Sequence, residues 1–77
     1  MNWHNRIIVD PKILVGKPII NGTRMSVEFI VDLLGNGWSN EQILQEYDHL
    51  QPADIQACLV YASEVLRSEK VYLLPTG

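Results

Sequence analysis

Hydrophobic and polar positions divide the chain into an extended first third and a helical remainder. The β-branched run Ile7–Val9 ends at an Asp-Pro pair, which favours a turn. Further on, Ile19–Ile20 leads into Asn21-Gly22, a dipeptide that tolerates the positive φ angles of a tight hairpin turn. The pattern therefore predicts a short N-terminal strand and a β-hairpin whose second arm is Thr23–Met25.

The next stretch has the spacing of two helices. Ser26 is a suitable N-cap for the first helix, and Gly35-Asn36-Gly37 provides its end. Ser39 and Gln42 match the Ser-x-x-Gln capping box at the start of a second, shorter helix. The apolar residues predicted to face the core from these helices are Val27, Ile30, Val31, Leu34, Ile43, Leu44 and Tyr47.

A third helix is predicted to begin at Pro52, because the first helical position does not need the missing N–H. Its predicted core stripe is Ile55, Leu59, Ala62 and Leu66, with Cys58 and Val65 beside it. A short helix, a turn of about four residues and a longer helix is the helix-turn-helix spacing. The predicted fold class is α+β and mainly helical: a short N-terminal strand and β-hairpin, then a three-helix helix-turn-helix bundle.

Length and composition indicate one domain over residues 1–77, with a short C-terminal tail at about 67–77. Hydrophobic residues make up 47% of the chain and charged residues 19%, which is typical of a folded protein. We expect no membrane span, because no apolar run approaches the roughly 20 residues required. One cysteine and no apolar leader favour a cytoplasmic protein. Isolated His4 and His49 favour no metal, no cofactor and no enzymatic activity.

Charge is distributed unevenly along the chain. Residues 1–24 contain four Lys or Arg and one acid, whereas residues 25–77 contain two Lys or Arg and eight acids. If the protein binds nucleic acid, the expected contacts are Lys12, Lys17 and Arg24. The alternatives are that these cations are ordinary solvated surface, or that Arg24 pairs with a nearby carboxylate such as Asp32 or Glu28.

The third helix is a poor candidate for reading bases. The residues predicted to face outward near its start are Gln51, Ala53, Asp54, Gln56 and Ala57. Glutamine can read adenine, but no cation lies among them and Asp54 would repel phosphate. Packing or interface formation is the alternative role for this helix.

The tail contains four consecutive apolar residues, Val71–Leu74, which a chain this short cannot easily bury on both faces. Contiguous exposed apolar surface usually marks an interface. A strand that pairs with Ile7–Val9, or an exchange between two copies, is the structural alternative. The small, apolar chain also predicts a homodimer or higher oligomer.

Several short motifs in a fixed order give a more specific signal, over Ile7 to Ala62. They include Asp10-Pro11, Gly16-Lys17-Pro18, Gly22-Thr23-Arg24, Ser39-x-x-Gln42, and Tyr47 shortly before His49-Leu50. This order resembles the bacterial family called domain of unknown function 433. Two positions depart from the family pattern. Val15 stands where a second glycine is common, and Gln51 where a Ser or Thr cap is usual.

The resemblance implies a small helix-turn-helix domain that acts as a VapB-like antitoxin against a PIN-like ribonuclease encoded alongside it. It also implies that the toxin-binding segment lies C-terminal to the DNA-binding part. The candidate toxin-binding residues are then Arg67, Lys70, Val71, Tyr72, Leu73 and Leu74. The antitoxin is expected to block the nuclease, and to repress its own operon by binding its promoter DNA. The alternative is a dimeric DNA-binding regulator or adaptor that has no toxin partner.

Overall fold

The computed structural model describes residues 3–12 and 16–68, and it confirms an α+β, mainly helical fold. Two strands, β1 (Ile7–Val9) and β2 (Pro18–Ile20), precede three helices. The helices are α1 (Val27–Gly35), α2 (Asn40–Glu46) and α3 (Pro52–Ser68). None of these helices is both long enough and apolar enough to cross a membrane.

The two strands form one antiparallel sheet in which Ile7 lies opposite Ile20 and Val9 opposite Pro18. The partner of β2 is therefore the N-terminal strand, rather than the segment that follows the Asn-Gly turn. Proline suits the last pair because it lies at a strand end, where a missing N–H costs little.

The predicted Asn21-Gly22 turn is present, but the second hairpin arm is reduced to a single bridge. The N–H of Thr23 donates to the carbonyl of Ile20 at 3.0 Å, and Gly22 has the positive φ of +85°. The hydroxyl of Thr23 donates to that same carbonyl at 2.8 Å and accepts from the N–H of Met25 at 2.9 Å. These local bonds hold residues 23–25 in a turn. Strand pairing after the Asn-Gly turn is therefore limited to the bridge between Ile19 and Ser26.

The predicted helix starts are confirmed. The Ser26 hydroxyl accepts from the N–H of Phe29 at 3.0 Å. At the start of α2 the capping box is complete, because Ser39 accepts from the N–H of Gln42 at 3.1 Å and the Gln42 side chain accepts from the N–H of Ser39 at 2.8 Å. The α3 helix begins at Pro52, as predicted.

One hydrophobic core lies where the sheet, α1 and α3 meet, and α2 closes it from the far side. Its members are nearly all aliphatic: Ile7, Ile20, Val27, Ile30, Ile43, Leu50, Ile55, Ala57 and Cys58. The α1–α3 pair is the most extensive helix contact. The loop 47–51 brings Leu50 into this core and so fixes the angle between α2 and α3.

The predicted core stripe of α3 is wrong beyond its first turn. Ile55 is fully buried, but Leu59 is 45% exposed and Leu66 is 65% exposed. The buried face of α3 instead consists of Asp54, Ile55, Ala57 and Cys58. At 1.5 Å per residue the 17-residue α3 is about 25 Å long, nearly twice the nine-residue α1 that packs on it. Its second half therefore extends beyond the core.

Candidate functional site

The start of α3 is held by the carboxylate of Asp54. One oxygen accepts from the Arg6 guanidinium at 2.9 Å, and the other accepts from the backbone N–H of Gln51 at 2.8 Å. Asp54 is 7% exposed and is the buried charged residue of the core. The acid in the third helical position thus reaches back over the poor cap Gln51, and Arg6 ties the segment before β1 to α3.

This arrangement corrects the prediction that Asp54 and Ala57 face outward. Both are buried, whereas Gln51 and Gln56 are exposed. An acid three residues after an unsuitable cap is the sequence signal that could have indicated the role of Asp54. Its ion pair with Arg6 spans 48 positions, so no local pattern could have predicted it.

Cys58 lies in the core one helical turn after Asp54. Burial, together with the smaller effect of the neighbouring Asp54 charge, raises the pKa of its thiol from 9.0 to about 12. The thiolate is the nucleophilic form, so this cysteine is unreactive at neutral pH.

We expect the folded protein to protect Cys58 from a thiol-specific reagent at pH 8. A pKa of about 12 in place of 9.0 lowers the thiolate fraction about 1000-fold, before access is considered. Folding stabilises the protonated thiol, so this contribution is complete below pH 9 and is lost as pH rises towards 12. Stopped-flow measurement in buffer and in denaturant gives the ratio of the modification rates of the folded and unfolded protein. Equal rates would contradict the buried placement.

Two of the N-terminal cations are engaged within the domain. Arg6 is bound to Asp54, and the Lys17 ammonium lies 3.0 Å from the Glu28 carboxylate on α1. The Lys17–Glu28 pair is exposed on both sides, so it contributes little to stability. Of the three predicted nucleic-acid contacts, Lys17 is therefore partly neutralised.

Arg24 and Lys12 carry the positive charge that remains. Both side chains are exposed, and within residues 3–12 and 16–68 neither forms an ion pair. Arg24 lies on the turn between β2 and α1, and among the described residues it forms neither of the alternative pairs, with Asp32 or with Glu28; the Glu28 carboxylate binds Lys17. Lys12 donates its backbone N–H to the Asp10 carboxylate at 2.9 Å, which shapes the turn after β1.

The helix-turn-helix part carries the opposite charge. No Lys or Arg occurs in the sequence between Arg24 and Arg67. The exposed surface of α2 and the following turn instead presents the carboxylates Glu41, Glu46 and Asp48. Such a surface repels phosphate, which agrees with the poor prospects of α3 as a base-reading helix.

The projecting half of α3 is covered on one side by aromatic residues. The Trp3 ring packs edge-on against Tyr61 with centroids 4.7 Å apart, and its indole N–H donates to the Glu64 carboxylate. The N-terminal segment thus fixes one flank of the helix end.

The other flank is open and apolar. A groove of about 320 Å³, which we call the α1–α3 groove, is lined by Pro18, Val27, Glu28, Val31, Tyr61, Ala62, Val65 and Leu66. Glu28 is its charged lining residue, and its carboxylate points to Lys17. On the helix next to the groove, Leu59, Val65 and Leu66 are exposed.

At the end of α3 the Arg67 side chain is exposed. Its guanidinium donates to the Ser63 hydroxyl at 3.2 Å, and no carboxylate of the described residues binds it. The other candidate toxin-binding residues, Lys70, Val71, Tyr72, Leu73 and Leu74, lie outside the described residues. Within the described ranges, no group of three or more His, Cys, Asp or Glu residues could hold a metal ion.

A family model described as "Protein of unknown function (DUF433)" matches residues 7–62, well over half of the chain. The chain belongs to the DUF433 family. The crystal structure of a DUF433 member from Anabaena variabilis has a similar fold, with a TM-score of 0.78 and 25% sequence identity. The match covers 82% of this chain and 62% of that one, so this DUF433 protein spans less than two thirds of the Anabaena chain. A comparison with curated proteins gives no match.

The matched region contains the whole sheet, α1, α2 and most of α3. It includes Arg24 and the Asp54 carboxylate, and it ends at Ala62, before the last turns of α3. The family signal therefore describes the core and the turns. The helix end that bears Arg67 lies beyond it.

Proposed function

We propose that this DUF433 protein is the antitoxin of a type II toxin–antitoxin pair, which binds and inhibits a PIN-like ribonuclease in the cytoplasm. The observation that carries the proposal is the end of α3. There, Arg67 lacks a carboxylate partner among the described residues and stands on a helix that projects beyond the core. That helix leads directly into a tail with Lys70 and four apolar residues.

The charge at the helix end suits such a target. PIN-like nucleases hold metal ions with clustered acidic residues, and a guanidinium binds carboxylates in a bidentate manner. Arg6 and Lys17 cannot take this role as readily, because Asp54 and Glu28 already bind them. Because Arg67 lies within α3, its backbone is already ordered, which lowers the entropic cost of presenting it to a partner.

Charge reversal at Arg67 tests this assignment. We expect Arg67→Glu to weaken binding of the PIN-like nuclease encoded beside the gene by about 100-fold, because it would place an acid against acids. Co-expression, affinity purification and calorimetry of the complex measure the effect. The matched control is Arg24→Glu, an equal charge change on the turn before α1, which should leave binding unchanged. Equal losses of nuclease affinity in the two variants would contradict the placement of the binding surface at the end of α3.

Promoter binding is the second role that we propose, and its basis is the exposed Arg24 on the turn between β2 and α1. We expect Arg24→Ala to weaken binding to the promoter and to reduce the slope of log affinity against log salt by about 1. Lys17→Ala should have a smaller effect, because the Glu28 carboxylate already pairs with the Lys17 ammonium. Fluorescence anisotropy at several salt concentrations gives both values. If Gln56→Ala relaxes sequence preference while Arg24→Ala has no effect, α3 is the reader instead.

A further inference from the structure

Three residues on α3 form an apolar seam, and the described part of the chain leaves its two leucines exposed and its alanine half-buried. Leu59, Ala62 and Leu66 are spaced three and four residues apart, so they lie within about 60° of one another around the helix. This line continues from Ile55, which is fully buried at the start of α3, and it is turned by about 100° from the line of Asp54, Cys58 and Tyr61, which packs on the core farther along the helix. Leu59 is 45% exposed and Leu66 is 65% exposed, and Ala62 lies half-buried between them.

The seam has the spacing of a helix–helix contact. Positions i, i+3 and i+7 are those that meet a partner helix in a coiled-coil-like pair. Ala62 and Leu66 line the α1–α3 groove on one side of the seam, and Leu59 lines a second groove on the other side. The other residues that line the second groove are Gln56, Val60, Ser63, Glu64 and Arg67. The leucine side chains form a ridge between two grooves, and the same ridge of a second helix can pack into one of those grooves.

We propose that a second copy of this chain covers the seam, through antiparallel packing of the two α3 helices about a two-fold axis near Ala62 and Ser63. The proposal concerns assembly and does not depend on the antitoxin function.

The order Leu-Ala-Leu along the seam is self-complementary. With the axis between Ala62 and Ser63, Leu59 of one copy lies against the partner's Leu66, and this contact forms twice in the dimer, once on each side of the axis. The small side chains at the centre let the helix axes approach closely. Each projecting helix end then packs against the part of the partner helix where Leu59 lines the second groove.

Charge also favours this partner and this orientation. Gln56 and Ser63, beside the seam, are uncharged, and the two charged residues that also line the second groove, Glu64 and Arg67, are of opposite sign. The Glu64 carboxylate accepts a hydrogen bond from the Trp3 indole N–H. A parallel pair would align the helix dipoles and bring both Arg67 side chains together, whereas the antiparallel pair separates those residues by about 13 Å along the helix.

Mass measurement on the full chain tests the seam. We expect light scattering and sedimentation equilibrium at about 100 μM to give twice the 8.8 kDa chain mass. Leu59→Glu and Leu66→Glu should each raise the dimer dissociation constant about 100-fold or more, since each change removes two buried leucines per dimer. The control is Val9→Glu, an exposed apolar residue of β1 at 54% exposure, which should remain dimeric. Circular dichroism should be unchanged in all three.

Cysteine pairing tests the orientation independently of any folding defect. Mild oxidation should link Ala62→Cys to itself across the axis, and should link Leu59→Cys to Leu66→Cys in a mixture of the two variants. Leu59→Cys alone should not form a linked dimer, and the wild type with its buried Cys58 serves as the blank.

A monomeric wild type, or a dimer that Leu59→Glu and Leu66→Glu leave intact, would overturn the proposal. Dimerisation that appears only after removal of residues 69–77 would show that the tail of the same chain is the occupant instead.

Discussion

Asp54→Ala is expected to lower the free energy of unfolding by about 3 kcal/mol. The substitution removes the acceptor of the Gln51 N–H and leaves the half-buried Arg6 guanidinium without its carboxylate. Breaking a partly buried, hydrogen-bonded ion pair typically costs 3–5 kcal/mol when one charge is left behind. We take the lower end because the Arg6 side chain is 34% exposed and can regain water.

Such a loss is large for a domain of this size, whose total stability is on the order of 5 kcal/mol. Urea unfolding followed by circular dichroism measures it, at one fixed protein concentration in case of self-association. The control is Asp48→Ala, the same change at an exposed position, which should alter stability by less than about 0.5 kcal/mol.

A double-mutant cycle separates the two functions of the carboxylate. Arg6→Ala removes the ion pair but retains the cap, so it should cost less than Asp54→Ala. The combination should cost less than the sum of the two single changes. If Asp54→Ala and Asp48→Ala unfold at the same urea concentration, the carboxylate has no structural role.

Removal of residues 69–77 is expected to abolish binding of the PIN-like ribonuclease while the domain remains folded. The sheet, the three helices and the described core all lie within residues 3–68, so the truncated chain should keep its helical circular dichroism signal and its cooperative unfolding. The removed segment holds Lys70 and the apolar run Val71–Leu74. Burial of two or three such side chains at a partner surface contributes roughly 3–6 kcal/mol before the cost of ordering them.

A variant of full length controls for chain length. Serine at each of the four positions 71–74 removes the apolar surface but retains the backbone and Lys70. It should lose most of the affinity that the truncation loses. Loss of cooperative unfolding in the truncated chain would show that the tail is part of the core. Retained binding would place the inhibitory surface in residues 1–68.

Features of this fold that depend on neighbours in sequence could be predicted. The Ser39–Gln42 capping box, the Ser26 cap, the Pro52 helix start and the Asn-Gly turn each depend on side chains within four residues of the backbone groups that they bind. Their geometry is the same in any surroundings, so the residue types alone predict them.

Features that depend on distant contacts could not be predicted. The pairing of β2 with β1 rather than with 23–25 depends on Ile7 and Ile20 meeting in the core. The role of Asp54 depends on Arg6, which is 48 positions away. On α3, periodicity predicted the stripe Ile55, Leu59, Ala62 and Leu66 but not where along the helix the core ends, and only Ile55 of that stripe is fully buried.

The candidate site likewise has features that the sequence predicts and features that depend on distant contacts. The excess of cations in the first 24 residues is visible in the sequence, but the structure was needed to show that Glu28 engages Lys17 while Arg24 forms no ion pair among the described residues. The position of Arg67 at a helix end could be read from the sequence. Its lack of a carboxylate partner within the described part of the chain could not, because that depends on where every nearby acid points.

The proposed inhibition of a PIN-like ribonuclease by this DUF433 protein is tested most directly by titration of the purified, co-encoded nuclease with the full chain while cleavage of a fluorescent RNA is followed. We expect cleavage to fall in proportion to added protein and to cease near one chain per nuclease active site. Cleavage that continues at an undiminished rate in tenfold molar excess of the full chain would contradict it.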